Sequence, residues 1–394
     1  MRIVHIITRL ILGGAQENTL ITCRELARRG HKVFLITGPA AGPEGALFEQ
    51  TMASGYEVMV VRSMRRAIWP GKDLVSFFKI KKLLKEICPD IVHTHSAKAG
   101  VLGRWAAWGL KGKCGLEDEK KPYVVHTIHG LAFHPYQSGL VNRFYIAVER
   151  AAGRRTDAFI TVADAMTEKS RAAGIGLDKP YTTAYSAIDE EQFLAEQTET
   201  QRLKFRQQYG IPTDAIVLVC VARLASLKGH KYIIESARRL ADKHPNAVWL
   251  FVGDGELAGK IKDRIERAGL TERFFFTGLL SPERIPLALH SSDILVHCSL
   301  REGLARVLPQ AMLCGKPVVS FDIDGAKEVV NERTGFLIEP KDIDGLTSAC
   351  ARLIEDGQLR CNLGQAGRES AKKKFSPQRM VDVIENVYRG LMEG

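Results

Sequence analysis

Three charged side chains stand where apolar runs end. After the run 216–222 (IVLVCVA) comes RLASLKGH, which places Arg223 and Lys228 five residues apart in one loop. After the run 294–298 (ILVHC) comes SLREGLARVLPQ, which places Glu302 ahead of a helix-patterned stretch and Gln310 eight residues on. Two cations leaving one strand end suit a diphosphate. A guanidinium grips phosphate oxygens in pairs, and an ammonium acts as a point charge. A carboxylate at the mouth of a helix can accept hydrogen bonds from sugar hydroxyls, although a helix start also favours an acid through its dipole alone. Eight residues of helix rise about 12 Å, on the order of the span from a sugar to a ribose across a diphosphate. On that spacing Glu302 would hold sugar hydroxyls, the first-turn N–H groups of Leu304 and Ala305 would meet phosphate, and Gln310 would reach a ribose. Gly253, in the tight turn GDGEL after the run 247–252, belongs to the same set of strand ends.

The first half carries weaker signals of the same kind. Gly13 and Gly14 follow the run 3–7 and precede a helical stretch beginning near Ala15. Glycines there let backbone N–H groups approach a phosphate, and they also serve turn geometry alone. His129-Gly130 follows the run 123–128, where an imidazole could bond a sugar hydroxyl or sit as a satisfied, partly buried histidine. Ser96 and Lys98 follow the run 91–95 at a helix start, where Lys98 could meet an anionic acceptor or simply lie on the surface. His93, His95 and His126 are strand histidines too. Alternation sends neighbours to opposite faces and no carboxylates accompany them, so no metal site is expected. Asp322 and Asp324 spell D-x-D after a late strand and read as loop structure.

These residues need strands to carry them. Short β-rich runs at 3–7, 32–37, 56–61, 91–95, 123–128 and 158–162, then at 216–222, 247–252, 273–277, 294–298, 317–321 and 335–338, alternate with helical patterns. In DLVSFFKIKKLLKEI (73–87) Ile80, Leu83, Leu84 and Ile87 share one face and lysines the other. Alternating βα units predict parallel, doubly wound sheets, in which ligands bind at the carboxyl ends of strands. The fold class expected is α/β, with two Rossmann-like domains facing across a cleft. Residues 1–188 form the first, 189–376 the second, and a last helix in 377–394 packs back on the first. The polar stretch between 187 and 212 marks the boundary, and 117–122 (EDEKKP) reads as a loop.

Length and composition agree with this. A chain of 394 residues with 45% hydrophobic and 26% charged residues suits two or three soluble domains. Eight scattered cysteines without CxxC pairs fit a reducing cytoplasm rather than a disulfide scaffold or zinc knuckle. The N-terminal apolar run is broken by His5, Thr8 and Arg9, so it reads as a buried strand rather than a signal peptide. The net charge of +11 is uneven: residues 1–188 hold 27 Lys/Arg against 16 Asp/Glu, and residues 189–394 hold 29 of each. A basic first half implies an acidic partner or a solubilising surface. Arg62, Arg65, Arg66 and Lys72, beside Ile68, Trp69 and the 73–87 helix, could dock on an anionic membrane face or form a solvated helix. No nucleic-acid-binding module accompanies the charge.

The segments GGAQENTL, IVHTHSAKAGVLGR, HTIHG, VARLASLKGH, FVGDGEL, FTGLL, REGLARVLPQAMLCGKPVV and DGAKEVVNERTGFL occur in this order. Together they resemble the motif set of the retaining GT-B glycosyltransferases, family four, nearest the capsular and exopolysaccharide subgroup. The resemblance covers nearly the whole chain. It implies an N-terminal acceptor domain and a C-terminal nucleotide-sugar domain. Gly14 then lies against the donor diphosphate, Arg223 and Lys228 neutralise it, His129 contacts the transferred sugar, and Glu302 is the first glutamate of an E-x7-E motif. No metal or other cofactor is implied. The second glutamate is Gln310 here, which leaves ribose recognition without a carboxylate. The expected partners are a nucleotide-sugar donor, with UDP favoured over GDP, and a polyprenyl-phosphate-linked or saccharide acceptor in cell-surface polysaccharide synthesis. The expected place is the cytoplasm or the inner membrane face. A non-hydrolysing nucleotide-sugar epimerase of the same fold is the alternative. A nicotinamide dehydrogenase is disfavoured because no GxGxxG opens either half.

Overall fold

The computed structural model describes residues 1–39, 55–110 and 121–393, so most of the 117–122 segment lies outside the described residues. The chain divides into two compact units. One contains Met1–Ala187 together with Pro377–Gly394, and the other contains Ile188–Ser376.

The first unit holds a parallel sheet of seven strands: β1 (Arg2–Ile7), β2 (Lys32–Thr37), β3 (Glu57–Val60), β4 (Ile91–His95), β5 (Tyr123–Ile128), β6 (Ala158–Thr161) and β7 (Tyr181–Thr183). Their spatial order is β3-β2-β1-β4-β5-β6-β7. The chain moves outward from β1 in one direction and then returns to build from β4 in the other. Between β1 and β4 lies a topological switch point, where a crevice opens at the strand ends. The central strands are buried almost throughout because helices cover both faces, and they carry His5, His93, His95 and His126 among their apolar residues. Ile80, Leu84 and Ile87 of the helix Pro70–Ile87 are buried on one of those faces.

The last helix, Pro377–Glu393, packs in this unit against the helix Gly14–Arg28. Met380, Val381, Ile384 and Tyr388 enter the same core as β1 and β2. Arg29 pairs with both Asp382 (2.7 Å) and Glu385 (2.8 Å), and His31 lies 3.2 Å from Glu385.

The second unit holds six parallel strands: β8 (Ile216–Val221), β9 (Ala247–Val252), β10 (Phe274–Gly278), β11 (Ile294–His297), β12 (Val318–Phe321) and β13 (Gly335–Ile338). Their order is β10-β9-β8-β11-β12-β13, so its switch point lies between β8 and β11. The polar stretch after Ala187 forms two helices, Glu190–Leu194 and Glu199–Gln208, whose Phe193 and Phe205 are buried.

Candidate functional site

In the second unit the charged residues converge at the switch point. Arg223 and Lys228 lie in the loop that leaves β8, and Glu302 lies in the loop that leaves β11. The two loops are pinned together, since Leu300 N–H donates to Leu227 O at 2.8 Å. Gly229 makes this possible. Its φ is +77°, and a Cβ there would lie 1.9 Å from the Cys298 carbonyl oxygen. Only a residue without a side chain lets the backbones approach so closely. Lys228 Nζ consequently donates to Glu302 Oε1 at 2.5 Å. His297 Nε2 stands 3.6 Å from the same oxygen, and its Nδ1 lies 3.2 Å from Ser320 Oγ. Burial alone would push the Glu302 carboxyl up. Lys228 and His297 outweigh it and hold the group well below the usual carboxylate range. Glu302 is therefore an ion at neutral pH with oxygen lone pairs to spare, and the Lys228 ammonium retains two further donors. Asp324 completes the arrangement. Its Oδ2 accepts from the Glu302 backbone N–H at 2.6 Å, and its own φ of +48° is a left-handed conformation that Asp tolerates better than most.

Three sequence expectations need correction here. The helix begins at Val307 and runs only to Leu313, so Leu304 and Ala305 belong to the buried turn before it and not to its first turn. The cause is Pro309. Its missing N–H is harmless in a first turn but would break the ladder further in, which fixes the helix start close ahead of it. The 12 Å rise from Glu302 to Gln310 therefore does not apply, although Gln310 does stand in the helix, half-buried. Gly253 is spent on packing. Its N–H donates to Gly278 O at 3.0 Å, and a Cβ there would lie 2.2 Å from Ala222 O. Arg223 is about half exposed and lies 3.6 Å from Glu256.

In the first unit Gly13 caps and Gly14 begins the helix Gly14–Arg28 after β1. Ser96 caps the helix Ala97–Trp108 after β4. Its backbone (φ 62°, ψ 157°) lies where non-glycine residues are strained, and its Oγ is 2.8 Å from Thr8 Oγ1. Thr8 Oγ1 also accepts from the Ala99 N–H, so side chains from β1's end satisfy this helix start. Lys98 is not presented to an acceptor. Its ammonium donates to Asp73 Oδ1 at 2.6 Å and to the Ala67 carbonyl, which ties the start of the helix Pro70–Ile87 to the β4 loop.

The histidines are arranged differently from the expectation. His93 and His95 are two residues apart on β4 and so share a face, and the β1–β4 register sets His5 beside His93. One nitrogen from each of His5, His93 and His95 falls within 4.8 Å of the others, a spacing that metal ligands also have. Hydrogen bonds already occupy the nitrogens of two of them. His93 Nδ1 meets Tyr388 Oη at 2.5 Å and its Nε2 meets Thr127 Oγ1 at 2.6 Å. His95 Nε2 meets His5 Nδ1 at 2.9 Å, and its Nδ1 meets His129 Nε2 at 3.0 Å. His129 itself lines a small cavity with Ser96, Gly130, Leu131 and Glu149. His126 faces the other way and bonds Thr94 Oγ1 at 2.8 Å. Burial holds His5, His93, His95 and His126 below the ordinary imidazole range, His5 at about 3.

The chain matches two family models: Glycosyl transferases group 1 over residues 201–370, and Glycosyl transferase 4-like domain over residues 13–180. It is 30% identical over 392 residues to the UDP-Gal:alpha-D-GlcNAc-diphosphoundecaprenol alpha-1,3-galactosyltransferase of Escherichia coli, covering 98% of this chain and 96% of that one. The chain belongs to the group 1 glycosyl transferases. This glycosyltransferase is also 29% identical over 338 residues, 84% of each chain, to the putative glycosyltransferase EpsD of Bacillus subtilis. Among solved structures it superposes on HepE of Anabaena in complex with UDP-glucose with a TM-score of 0.83 at 22% identity, covering 99% of this chain and all of that one. Both sheets are those of a GT-B fold.

Proposed function

We propose that this glycosyltransferase moves a hexosyl unit, with retention of configuration, from a UDP-sugar to a lipid-linked diphosphate acceptor in the assembly of a cell-surface polysaccharide. The observation that carries the reading is the Lys228–Glu302 pair at the β8–β11 switch point. As the C1–O bond to the leaving diphosphate breaks, negative charge grows on the β-phosphate. Lys228, through its remaining donors, and Arg223 meet that charge, and the amides of the Leu304–Ala305 turn supplement them. Glu302 accepts from sugar hydroxyls. The acceptor oxygen bonds to C1 on the face that the phosphate leaves, and its proton passes to a leaving phosphate oxygen. Cations from the protein serve the leaving group, so the reading calls for no metal ion. In the first unit the Gly13-Gly14 turn backs the donor diphosphate and His129 contacts the transferred sugar.

The donor and acceptor rest on the relatives. The Escherichia coli relative is named for UDP-Gal and a diphosphoundecaprenol acceptor, HepE was solved with UDP and glucose, and another relative is the capsular polysaccharide enzyme CapM of Staphylococcus aureus. A lipid-linked acceptor requires a membrane surface, and the first unit offers a patch for one. Ile68, Trp69 and Phe78 are 61%, 57% and 58% exposed. Arg62, Arg65, Arg66, Lys72 and Lys79 are exposed around them. No helix among the described residues is long and apolar enough to cross a membrane, so the patch would dock peripherally.

The test is UDP release from UDP-hexoses, with and without a polyprenyl-diphosphate-linked N-acetylhexosamine, followed by NMR of the product's anomeric centre. Acceptor-dependent release with a retained centre, unaffected by EDTA, is expected. Isomerised donor without acceptor, or an inverted product, would overturn the reading. Flotation with anionic vesicles tests the patch separately, and the Trp69→Glu, Phe78→Glu double variant should stay unbound.

A further inference from the structure

The row of histidines runs inward from His129. His129 Nε2 meets His95 Nδ1 at 3.0 Å, and His95 Nε2 meets His5 Nδ1 at 2.9 Å. The row ends at His5 Nε2, which is buried with no hydrogen-bond partner. His5 and His95 are almost wholly shut off from solvent. Burial holds both neutral, so each ring carries one proton. Under that condition only two arrangements satisfy both contacts, and they run in opposite directions.

In the first, His129 Nε2–H donates to His95 Nδ1, and His95 Nε2–H donates to His5 Nδ1. The single proton of His5 must then sit on Nε2, where it is an orphaned buried donor. In the second, His5 Nδ1–H donates to His95 Nε2, and His95 Nδ1–H donates to His129 Nε2. His5 Nε2 is then a bare lone pair, and no N–H is stranded. Buried N–H groups without partners are the rarer defect in folded proteins. The second arrangement therefore prevails. It leaves His129 with its proton on Nδ1 and its Nε2 engaged as an acceptor.

We propose that His5 and His95 are positioning residues that fix His129 as the neutral Nδ1–H tautomer, so that it offers the transferred sugar a single uncharged donor. The sugar contact rests on the function proposed above, and the tautomer does not. His93 stands outside the row. It stacks on His95 with ring centroids 4.3 Å apart, and both its nitrogens are tied to hydroxyls, which holds the His95 plane without competing for its nitrogens.

Long-range 1H–15N NMR of the full-length protein with 15N-labelled histidine reads the tautomers directly, with His129→Gln assigning the His129 signals. A protonated Nδ1 and bare Nε2 on His129 are expected. A protonated Nε2, or a near-equal mixture, overturns the proposal without reference to activity. His95→Asn keeps an amide N–H near the Nδ1 position and should hold His129 in the same tautomer. His95→Leu should release it to a mixture and lower kcat about tenfold or more, with donor KM changing less. An unchanged tautomer in folded His95→Leu also overturns the proposal. Loss of the tautomer with unchanged kcat upholds the relay and removes the sugar contact assigned to His129.

Discussion

Lys228 and Glu302 lie 74 residues apart in sequence and meet at 2.5 Å, the ammonium from the β8 loop on the carboxylate from the β11 loop. The pair sets Glu302's charge and Lys228's place together. Lys228→Ala should cut transfer by about 100-fold or more, as expected for loss of a donor to developing charge. It also leaves a half-buried carboxylate without its main partner, so the Glu302 carboxyl should titrate upward, and the variant's stability deficit against the wild type should be largest at neutral pH and narrow as pH drops toward 5. Glu302→Gln should be comparably damaging, while Gln310→Glu should keep activity within a few-fold. Steady-state kinetics on the three variants decide this. Small, equal effects would mean that the stretch is scaffold.

Two glycines at strand ends should behave oppositely. Gly229→Ala forces a left-handed backbone and drives Cβ into the Cys298 carbonyl, so it should cost about 2 kcal/mol or more and lower kcat through Lys228. Gly13 has φ 176°, an extended conformation open to any residue, and its virtual Cβ meets only the flexible end of Gln16. Gly13→Ala should fold with nearly unchanged Tm. A rise in donor KM at that unchanged Tm would mark the turn as a phosphate seat, and an unchanged KM would make it a turn alone.

The buried histidines give stability a pH dependence whose sign is fixed. Each is depressed from 6.5, His5 to about 3, so the unfolded chain binds more protons below pH 6.5. Stability is then fully present above pH 6.5 and falls as pH drops, by about 1.4 kcal/mol per pH unit for each proton taken up. Carboxylates such as Glu385, held at about 2, add their loss only at lower pH. Urea unfolding between pH 5 and 8 should show the slope, and His5→Asn should reduce it by up to one proton. A flat profile in that window contradicts neutral burial.

Most strands were legible because buried parallel strands are short apolar runs between helices: β2, β4, β5, β9 and β13 span the expected residues, and the other expected strands differ by a residue or two. β7 was not, because Tyr-Thr-Thr is three residues long, partly exposed and at a sheet edge. The charged strand ends could be read one by one, but their partners could not. That Lys228 meets Glu302, that Asp324 holds Glu302's N–H, and that His5 faces His93 all follow from strand order and register. Two other features do have a signal in the sequence: Pro309 limits how early its helix can start, and the i, i+2 spacing of His93 and His95 puts them on one face.

Lys98 shows how the same ambiguity resolves the other way. From its position in the β4 loop of a basic half it reads equally as an acceptor contact or a surface lysine, yet it is mostly buried and bound to Asp73 and the Ala67 carbonyl. Removing it takes the ammonium from Asp73, whose other oxygen still accepts from the Trp69 N–H at 3.0 Å, and loosens the segment that leads into the helix Pro70–Ile87. Lys98→Met keeps the apolar stem and should cost about 1–3 kcal/mol, as for other partly buried pairs broken on one side. Acceptor KM should be unchanged with a soluble acceptor analogue. Vesicle binding should weaken, because Ile68 and Trp69 sit between Lys98's two anchors. Calorimetry, acceptor kinetics and flotation on this one variant separate the roles: a raised acceptor KM at normal Tm would restore the acceptor contact.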